Sequence, residues 1–432
     1  MPELHLQSEN ITSDNITSEN LETQLRSWLG ALPAWPKKVL LLPPDFTRYH
    51  SKAGLIVKLL YEILSNVETQ VDIMPALGTH VPMSGDEKAK MFGKEIPAAC
   101  FIEHDWRKET VKVGEVPSEF VAKVSEGLVQ YPIDVMVNRR LLDSSYDQII
   151  SIGQVVPHEV VGMANFNKNI FVGCGGPDMI NKSHFLGAAY GMERMMGRAD
   201  TPVRKVFNYA EEHFLQNIPL QYILTVTTTK NEETKLRGLF IGRSNRLFEK
   251  AALLSQQCNL NLLDKPFTKV VVYLSPDEFK STWLGNKAIY RTRMAIADGG
   301  ELLILAPGVK HFGEDETIDG LIRKYGYVGS KRVLELIHEH PDLANNLSAA
   351  AHLIHGSSEG RFTITYATAQ LSKSEVEQVN FQHRPLAEVL QKYDPAVLTD
   401  GYNTLADGEE IYFISNPALG LWADRNLFMS KG

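Results

Sequence analysis

The run Lys38-Val39-Leu40-Leu41-Leu42 has the length and unbroken apolar character of a buried strand, and Pro43-Pro44 stops it just before Asp45-Phe46-Thr47-Arg48. A buried strand that hands charged residues to a loop at its carboxyl end is how an open α/β sheet makes a ligand crevice. The pattern then repeats. Ser51 to Asn66 carries Leu55, Ile56, Leu59, Leu60 and Ile63 at helical spacing. Val71 to Ala76 reads as a second strand, ending in Leu77-Gly78-Thr79-His80-Val81-Pro82-Met83. Ser84, with Glu87 three residues on, forms a capping box for a helix through Phe92.

The same alternation continues to the carboxyl end and predicts an α/β fold: two α/β domains with open, largely parallel sheets and an interdomain active-site cleft. Asp147 to Gly153 is a strand that leads into Val155-Val156-Pro157-His158, Gly162, Ala164-Asn165-Phe166-Asn167-Lys168, the apolar run Ile170-Phe171-Val172, and Gly173-Cys174-Gly175-Gly176. Pro177 suits the first turn of a helix running to about Met196 and carrying His184. Asn259 to Pro266 breaks the pattern, so residues 1–263 are expected to form an amino-terminal cofactor-binding domain. Residues 267–432 then form a carboxyl-terminal domain that closes the cleft, the last residues being open to a return to the first. In that second part, Val270 to Leu274 is a strand, Asn286 to Asp298 a helix ended by Gly299-Gly300, and Glu301 to Ala306 the next strand.

A formal charge of −8 leaves no basic stripe to meet phosphates, which argues against nucleic acid or a membrane surface as partner. Three cysteines, Cys100, Cys174 and Cys258, lie far apart with no C-x-x-C pair, so neither a disulfide framework nor a structural zinc site is indicated. The polar stretch Met1 to Asn20 lacks the order of a signal peptide and no apolar run reaches membrane-spanning length, so a cytoplasmic protein is expected. The chemistry sought is therefore that of a small molecule.

Neither nucleotide fingerprint is present: Gly173-Cys174-Gly175-Gly176 lacks the G-x-G-x-x-G spacing, and no Gly-Lys-Ser or Gly-Lys-Thr closes a phosphate loop. What remains is His80, His158 and His184 at strand ends or a helix start, with Arg48, Lys168 and Lys287. Two neutral imidazoles on opposite sides of a carbon could each take or return a hydroxyl proton, a third could hold a metal, and the cations could clamp a carboxylate. Each residue also has a plain reading: His80 as a turn histidine, Lys168 as a solvated lysine flanking a strand, His184 packed on Phe185, Asp45 as a helix cap.

Taken in order, Asp45-x-x-Arg48, Gly78-Thr79-His80-x-Pro82, Pro157-His158, Gly162, Lys168 and His184 resemble the nickel-dependent lactate racemase family. The spacings of ten from His158 to Lys168 and sixteen from Lys168 to His184 match that family's pattern, and Lys287, twelve before Gly299, falls on its second-domain lysine. The resemblance implies a nickel-pincer nucleotide tethered covalently through Lys168, with His184 as the protein's ligand to nickel and Asp45 among the residues contacting the cofactor. It implies His80 and His158 as paired acid/bases, Arg48 and Lys287 as holders of the substrate carboxylate, and cofactor-biosynthesis proteins as partners. The implied reaction is inversion at C2 of a 2-hydroxy acid by reversible hydride transfer to the cofactor.

Two stretches depart from the family. Ala164-Asn165-Phe166-Asn167 replaces a Ser-Gly-Gly run, with asparagine tolerating a left-handed turn and Phe166 expected in the pocket wall. Trp283-Leu284-Gly285-Asn286 replaces a Tyr-Gln pair. With Gly308 to Asp315, Arg291 and Arg293, these extra polar groups suggest a sugar acid such as mannonate or gluconate, hence a sugar-acid epimerase. A lactate-like racemase, a zinc hydrolase or dehydratase ligated by the three histidines, and a non-catalytic acid-binding protein are the alternatives.

Overall fold

The computed structural model describes residues 3–8, 15–230 and 233–430. The chain divides into two compact units, one of residues 1–183 and 196–259, the other of residues 184–195 and 260–432.

The first unit is built on a six-stranded sheet of β1 (Leu4–Gln7), β2 (Lys38–Leu42), β3 (Gln70–Ile73), β4 (Gln148–Gln154), β5 (Leu220–Lys230) and β6 (Glu233–Gly242), in the order β1-β6-β5-β4-β2-β3. β5, β4, β2 and β3 run parallel, while β6 returns antiparallel beside β5. The parallel strands are buried on both faces, as their Val, Ile and Leu content demands: Val39 to Leu42 and Ile149 to Ile152 are all closed to solvent. Against one face pack the helices Ser18–Gly30 and Ala53–Ser65, through Leu25, Trp28, Ile56, Leu60 and Leu64. The helix Gly85–Phe92 starts with the expected capping box, Ser84 to Glu87.

The second unit has its own sheet: β7 (Phe267–Tyr273), β8 (Ile296–Ala306), β9 (Thr363–Thr368), β10 (Gln382–Pro385), β11 (Gly401–Thr404) and β12 (Glu410–Ile414), ordered β10-β9-β8-β7-β12-β11. All neighbours are parallel except the edge strand β11. The terminal strand Leu421–Asp424 pairs with Leu260–Leu263 inside this unit. The α/β class with largely parallel sheets is thus the observed fold.

Three local expectations are corrected. Ile170-Phe171-Val172 is not a strand but part of a π-helical turn, Asn169–Gly173, because Asn169 is pulled inward: its Nδ2 donates to Leu42 O (3.0 Å) and Ser151 Oγ (2.9 Å) on β2 and β4. The helix after Pro177 stops at Tyr190, where Gly191 takes a φ of +100°, and restarts as Met192–Met195. The helix expected over Asn286 to Asp298 covers only Lys287–Thr292, and Gly299-Gly300 lies within β8 instead of ending a helix. Asn169→Ala should strand a buried carbonyl and a buried hydroxyl and destabilise the first unit by about 2 kcal/mol, readable in urea unfolding.

Candidate active site

In the first unit the parallel strands β4, β2 and β3 lie side by side, and the loops leaving their carboxyl ends carry His158, Asp45 with Arg48, and His80 respectively. Lys168 immediately precedes the π turn that Asn169 ties to β2 and β4. The loop after β3 is drawn onto the same turn. Gly78, at φ +57°, donates its N–H to Gly173 O (2.9 Å), and a Cβ on Gly173 would sit 2.7 Å from that of Ala76. These five side chains are thereby gathered at one end of one sheet.

Asp45 and His80 form a dyad. His80 Nδ1 donates to Asp45 Oδ2 at 2.6 Å, while Thr47 Oγ1 donates to Oδ1 at 2.5 Å. Asp45 precedes a short 3-10 helix, Phe46–Ser51, but makes no side-chain cap to it, so its carboxylate serves the histidine and not the helix end. Burial alone would raise its pKa; the His80 hydrogen bond and charge, Thr47 and Arg48 outweigh that and hold it below the usual carboxylate value. With Asp45 ionised, the hydrogen of a neutral His80 ring resides on Nδ1, leaving Nε2 with its lone pair on a side chain that is half exposed.

His158 is set the other way. It is buried, and the Val160 N–H donates to its Nδ1 at 3.1 Å, so in the neutral ring the hydrogen belongs to Nε2. One imidazole thus offers an acceptor at Nε2 and the other a donor.

Lys168 forms no ion pair or side-chain hydrogen bond among the described residues and is only partly accessible. Burial, then the Arg48 charge, and further on Arg204, push its amine down to about 8, against the opposing pull of Glu159 and Asp45. Arg48 itself is partly exposed, in a backbone conformation that departs from the 3-10 segment around it.

His184 and Lys287 belong to the second unit. His184 lies, partly exposed, on the helix Pro177–Tyr190. Lys287 opens the helix Lys287–Thr292, its Nζ 5.7 Å from the centre of the Phe279 ring. The residue before it, Asn286, is fully buried: Tyr366 Oη donates to its Oδ1 at 2.6 Å, and its Nδ2 lies 3.4 Å from His352 Nε2. His352 is further bound by Tyr327 and Tyr290 hydroxyls, both at 2.8 Å, and burial takes its pKa down to about 3, so it is a neutral structural histidine. Trp283 covers it, ring centres 4.6 Å apart.

Several residues counted as candidates are structural. Arg293 Nε donates to Glu193 Oε1 (2.7 Å) and its Nη1 to His355 O (3.1 Å), and Arg291 is buried as well, so neither is an open donor for a long substrate. Phe166 packs between Tyr222 and Phe248 in the core, where it is almost wholly closed to solvent. Among the described residues no group of three or more His, Cys, Asp or Glu side chains is arranged to hold a metal ion. No helix among the described residues is long and apolar enough to cross a membrane. Sequence reasoning missed Asn169, Arg204 and the His352 network, all polar groups inside apolar surroundings, and burial of a polar residue leaves no periodic signal.

Comparison with known proteins gives three findings. Residues 8–195 match the sequence model of the lactate racemase N-terminal domain. A crystal structure of a protein from Thermotoga maritima is 26% identical, with a TM-score of 0.80, and the match covers 95% of this chain and 99% of that one. The lactate racemase apoprotein from Thermoanaerobacterium thermosaccharolyticum is 16% identical and similar in fold, with a TM-score of 0.70 over 95% of this chain and 94% of that one. No curated protein sequence matches. Residues 8–195 are thus similar to the lactate racemase N-terminal domain, and the chain as a whole shares the fold of the lactate racemase apoprotein.

Proposed function

We propose that the protein is a 2-hydroxy acid racemase or epimerase that inverts C2 with a nickel-pincer nucleotide tethered to Lys168. The observation that carries this reading is Lys168 itself, a partly accessible amine held in protein without a counter-ion, its pKa drawn down to about 8. A neutral amine is what a covalent amide-type tether requires, so the residue fits the group. The donor set fits too: with no cluster of protein ligands among the described residues, a metal held by His184 needs its other ligands from a cofactor. When bound, that group supplies a hydride acceptor and donor.

The protein's own residues handle the proton. His80, hydrogen-bonded through Nδ1 to Asp45, takes the 2-hydroxyl proton at Nε2, and Asp45 stabilises the imidazolium that results. His158 offers Nε2–H to the substrate oxygen; acting as base for the other enantiomer requires its Nδ1 to release the Val160 N–H. Arg48 and Lys287 hold the carboxylate, arginine in bidentate fashion.

For the substrate we favour a sugar acid, with the exposed Lys310 and the partly exposed His311 after β8 as partners for its distal hydroxyls. The commitment of Arg291 and Arg293 to the protein interior favours a short, lactate-like acid as the second reading. Co-expression with the cofactor's biosynthetic proteins should add an adduct mass that peptide mapping assigns to Lys168 and that Lys168→Ala removes. Unmodified Lys168 under those conditions would sink the reading. A panel of lactate, gluconate and mannonate, followed by deuterium wash-in at C2, decides between the substrates.

A further inference from the structure

The turn that delivers Lys168 is strained and closed to water. Asn165 and Phe166 take φ of +60° and +57° in succession, and Asn165, Phe166 and Asn167 are all buried. A left-handed phenylalanine lacks the local hydrogen bonding that lets asparagine visit that region, so something outside the turn must hold it. That something is Arg204, on the helix Pro202–Phe214.

The Arg204 guanidinium is buried and forms no ion pair among the described residues, although the Glu211 charge reaches it and favours its protonated form. Its Nη2 donates to Met163 O (2.7 Å) and Asn165 O (3.2 Å), and its Nη1 to Asn165 O (3.3 Å) and to Asn167 Oδ1. The strand residue Met163 and the turn residues Asn165 and Asn167 are thus gripped by one planar fork. The plane lies over the Phe248 ring at 4.2 Å, the same ring that stacks on Phe166 at 5.0 Å. Asn167 is fixed again from its other end, Nδ2 donating to Asn208 Oδ1 at 2.7 Å. A buried cation paired only with carbonyl oxygens is costly, and desolvation shows in its own pKa, pushed down to about 9. A methionine or leucine would fill that volume at lower cost, so the charge and the fork have a use beyond packing.

We propose that Arg204 is a positioning residue for Lys168: by clamping the left-handed turn 165–167 it holds the adjoining amine in one pose, ready to be acylated from its accessible side. Its charge acts in the same direction. Arg204 is one of four groups whose charges reach the Lys168 amine, with Arg48 also opposing protonation and Glu159 and Asp45 favouring it. The proposal shares Lys168 with the functional reading above but does not need the cofactor, so the two can fail separately.

The test is acylation of the unloaded protein by sulfosuccinimidyl acetate from pH 6 to 10, with Lys168 followed by peptide mass spectrometry against the exposed Lys250. The neutral amine attacks the ester carbonyl, the C–N bond forms as the C–O bond to the succinimide breaks, and the ammonium proton passes to buffer. In Arg204→Gln the Lys168 profile should move up by about one pH unit and its rate at pH 7 fall roughly tenfold, with Lys250 unchanged. Arg204→Lys, which returns the charge without the fork, should restore the profile's position on the pH axis but not the full rate. Folded Arg204→Gln with the wild-type profile overturns the proposal. Should that variant fail to fold, Asn167→Ala decides: it leaves Arg204 in place and should slow Lys168 about threefold without moving the profile, and an unaltered rate overturns the proposal.

Discussion

Asp45→Asn is expected to lower C2 inversion by about two to three orders of magnitude while leaving the Lys168 adduct intact. The reason is the direction of one hydrogen bond. Ionised Asp45 can only accept, so it keeps the His80 hydrogen on Nδ1 and the lone pair on Nε2. An asparagine can turn its amide and donate to Nδ1 instead, which places the hydrogen on Nε2 and leaves no base facing the substrate. His80→Gln should cost at least as much, and the double variant no more than His80→Gln alone, because both changes remove one function. Additive losses would mean that Asp45 acts apart from His80, for example on the cofactor, and full activity in Asp45→Asn would end the dyad reading. Stability gives an independent check. The folded pKa of Asp45 lies below its unfolded value, so its contribution is present above pH ~4 and is lost as pH falls through the lower folded value. Asp45→Asn should accordingly be less stable than wild type at pH 6, with the difference narrowing by pH 3.

Much of this arrangement could be read from the chain because strand ends and charged loops are written locally. Val39 to Leu42 can only be a doubly buried strand, and whatever follows Pro43-Pro44 must stand at the rim of a sheet, which is where Asp45 and Arg48 are found. The neighbourhood of β3 and β4 likewise put His80 and His158 at the same rim. What was not legible was every feature set by a long-range polar contact. Ile170-Phe171-Val172 has the composition of a strand and becomes a π turn because Asn169 reaches two strands that lie far off in sequence. Nothing in the local pattern around His184 says that residues 184–195 count with the second unit, within which Glu193 forms an ion pair with Arg293.

The two stretches that depart from the family pattern share a physical theme. Asn165-Phe166-Asn167 is gripped by Arg204 and stacked on Phe248; Asn286 is bound by Tyr366 and His352, beneath Trp283. Each lies directly before a lysine, Lys168 in the first unit and Lys287 in the second. At both places this chain uses buried polar side chains with specific partners, which fix a pose at the cost of requiring those partners to be present.

That cost should be measurable at Lys168, where Lys168→Met is expected to stabilise the unmodified protein by about 1–2 kcal/mol at pH 7. Unfolded, this lysine titrates near an ordinary value of ~10.4; folded, burial and the nearby arginines hold it at about 8. Below pH 8 both states carry the proton, and the folded state bears the whole penalty of an enclosed ammonium. Between pH 8 and ~10.4 the unfolded chain binds more protons than the folded one, so wild-type stability climbs with pH relative to the variant. The full shift would amount to more than the stated gain, but part of the side chain meets water, which screens it. Methionine fills the stem without the charge, and its advantage should vanish above pH ~10.5, when wild-type lysine is neutral in both states. Lys168→Arg, unable to shed its proton, should be no more stable than wild type across the range. Urea unfolding of the three proteins at pH 7 and 10.5 makes the comparison. A methionine variant no more stable than wild type at pH 7, or equally advantaged at both pH values, would mean that the lysine carries no electrostatic strain. The expected pattern would mean that the protein gives up stability at the amine proposed above for covalent attachment.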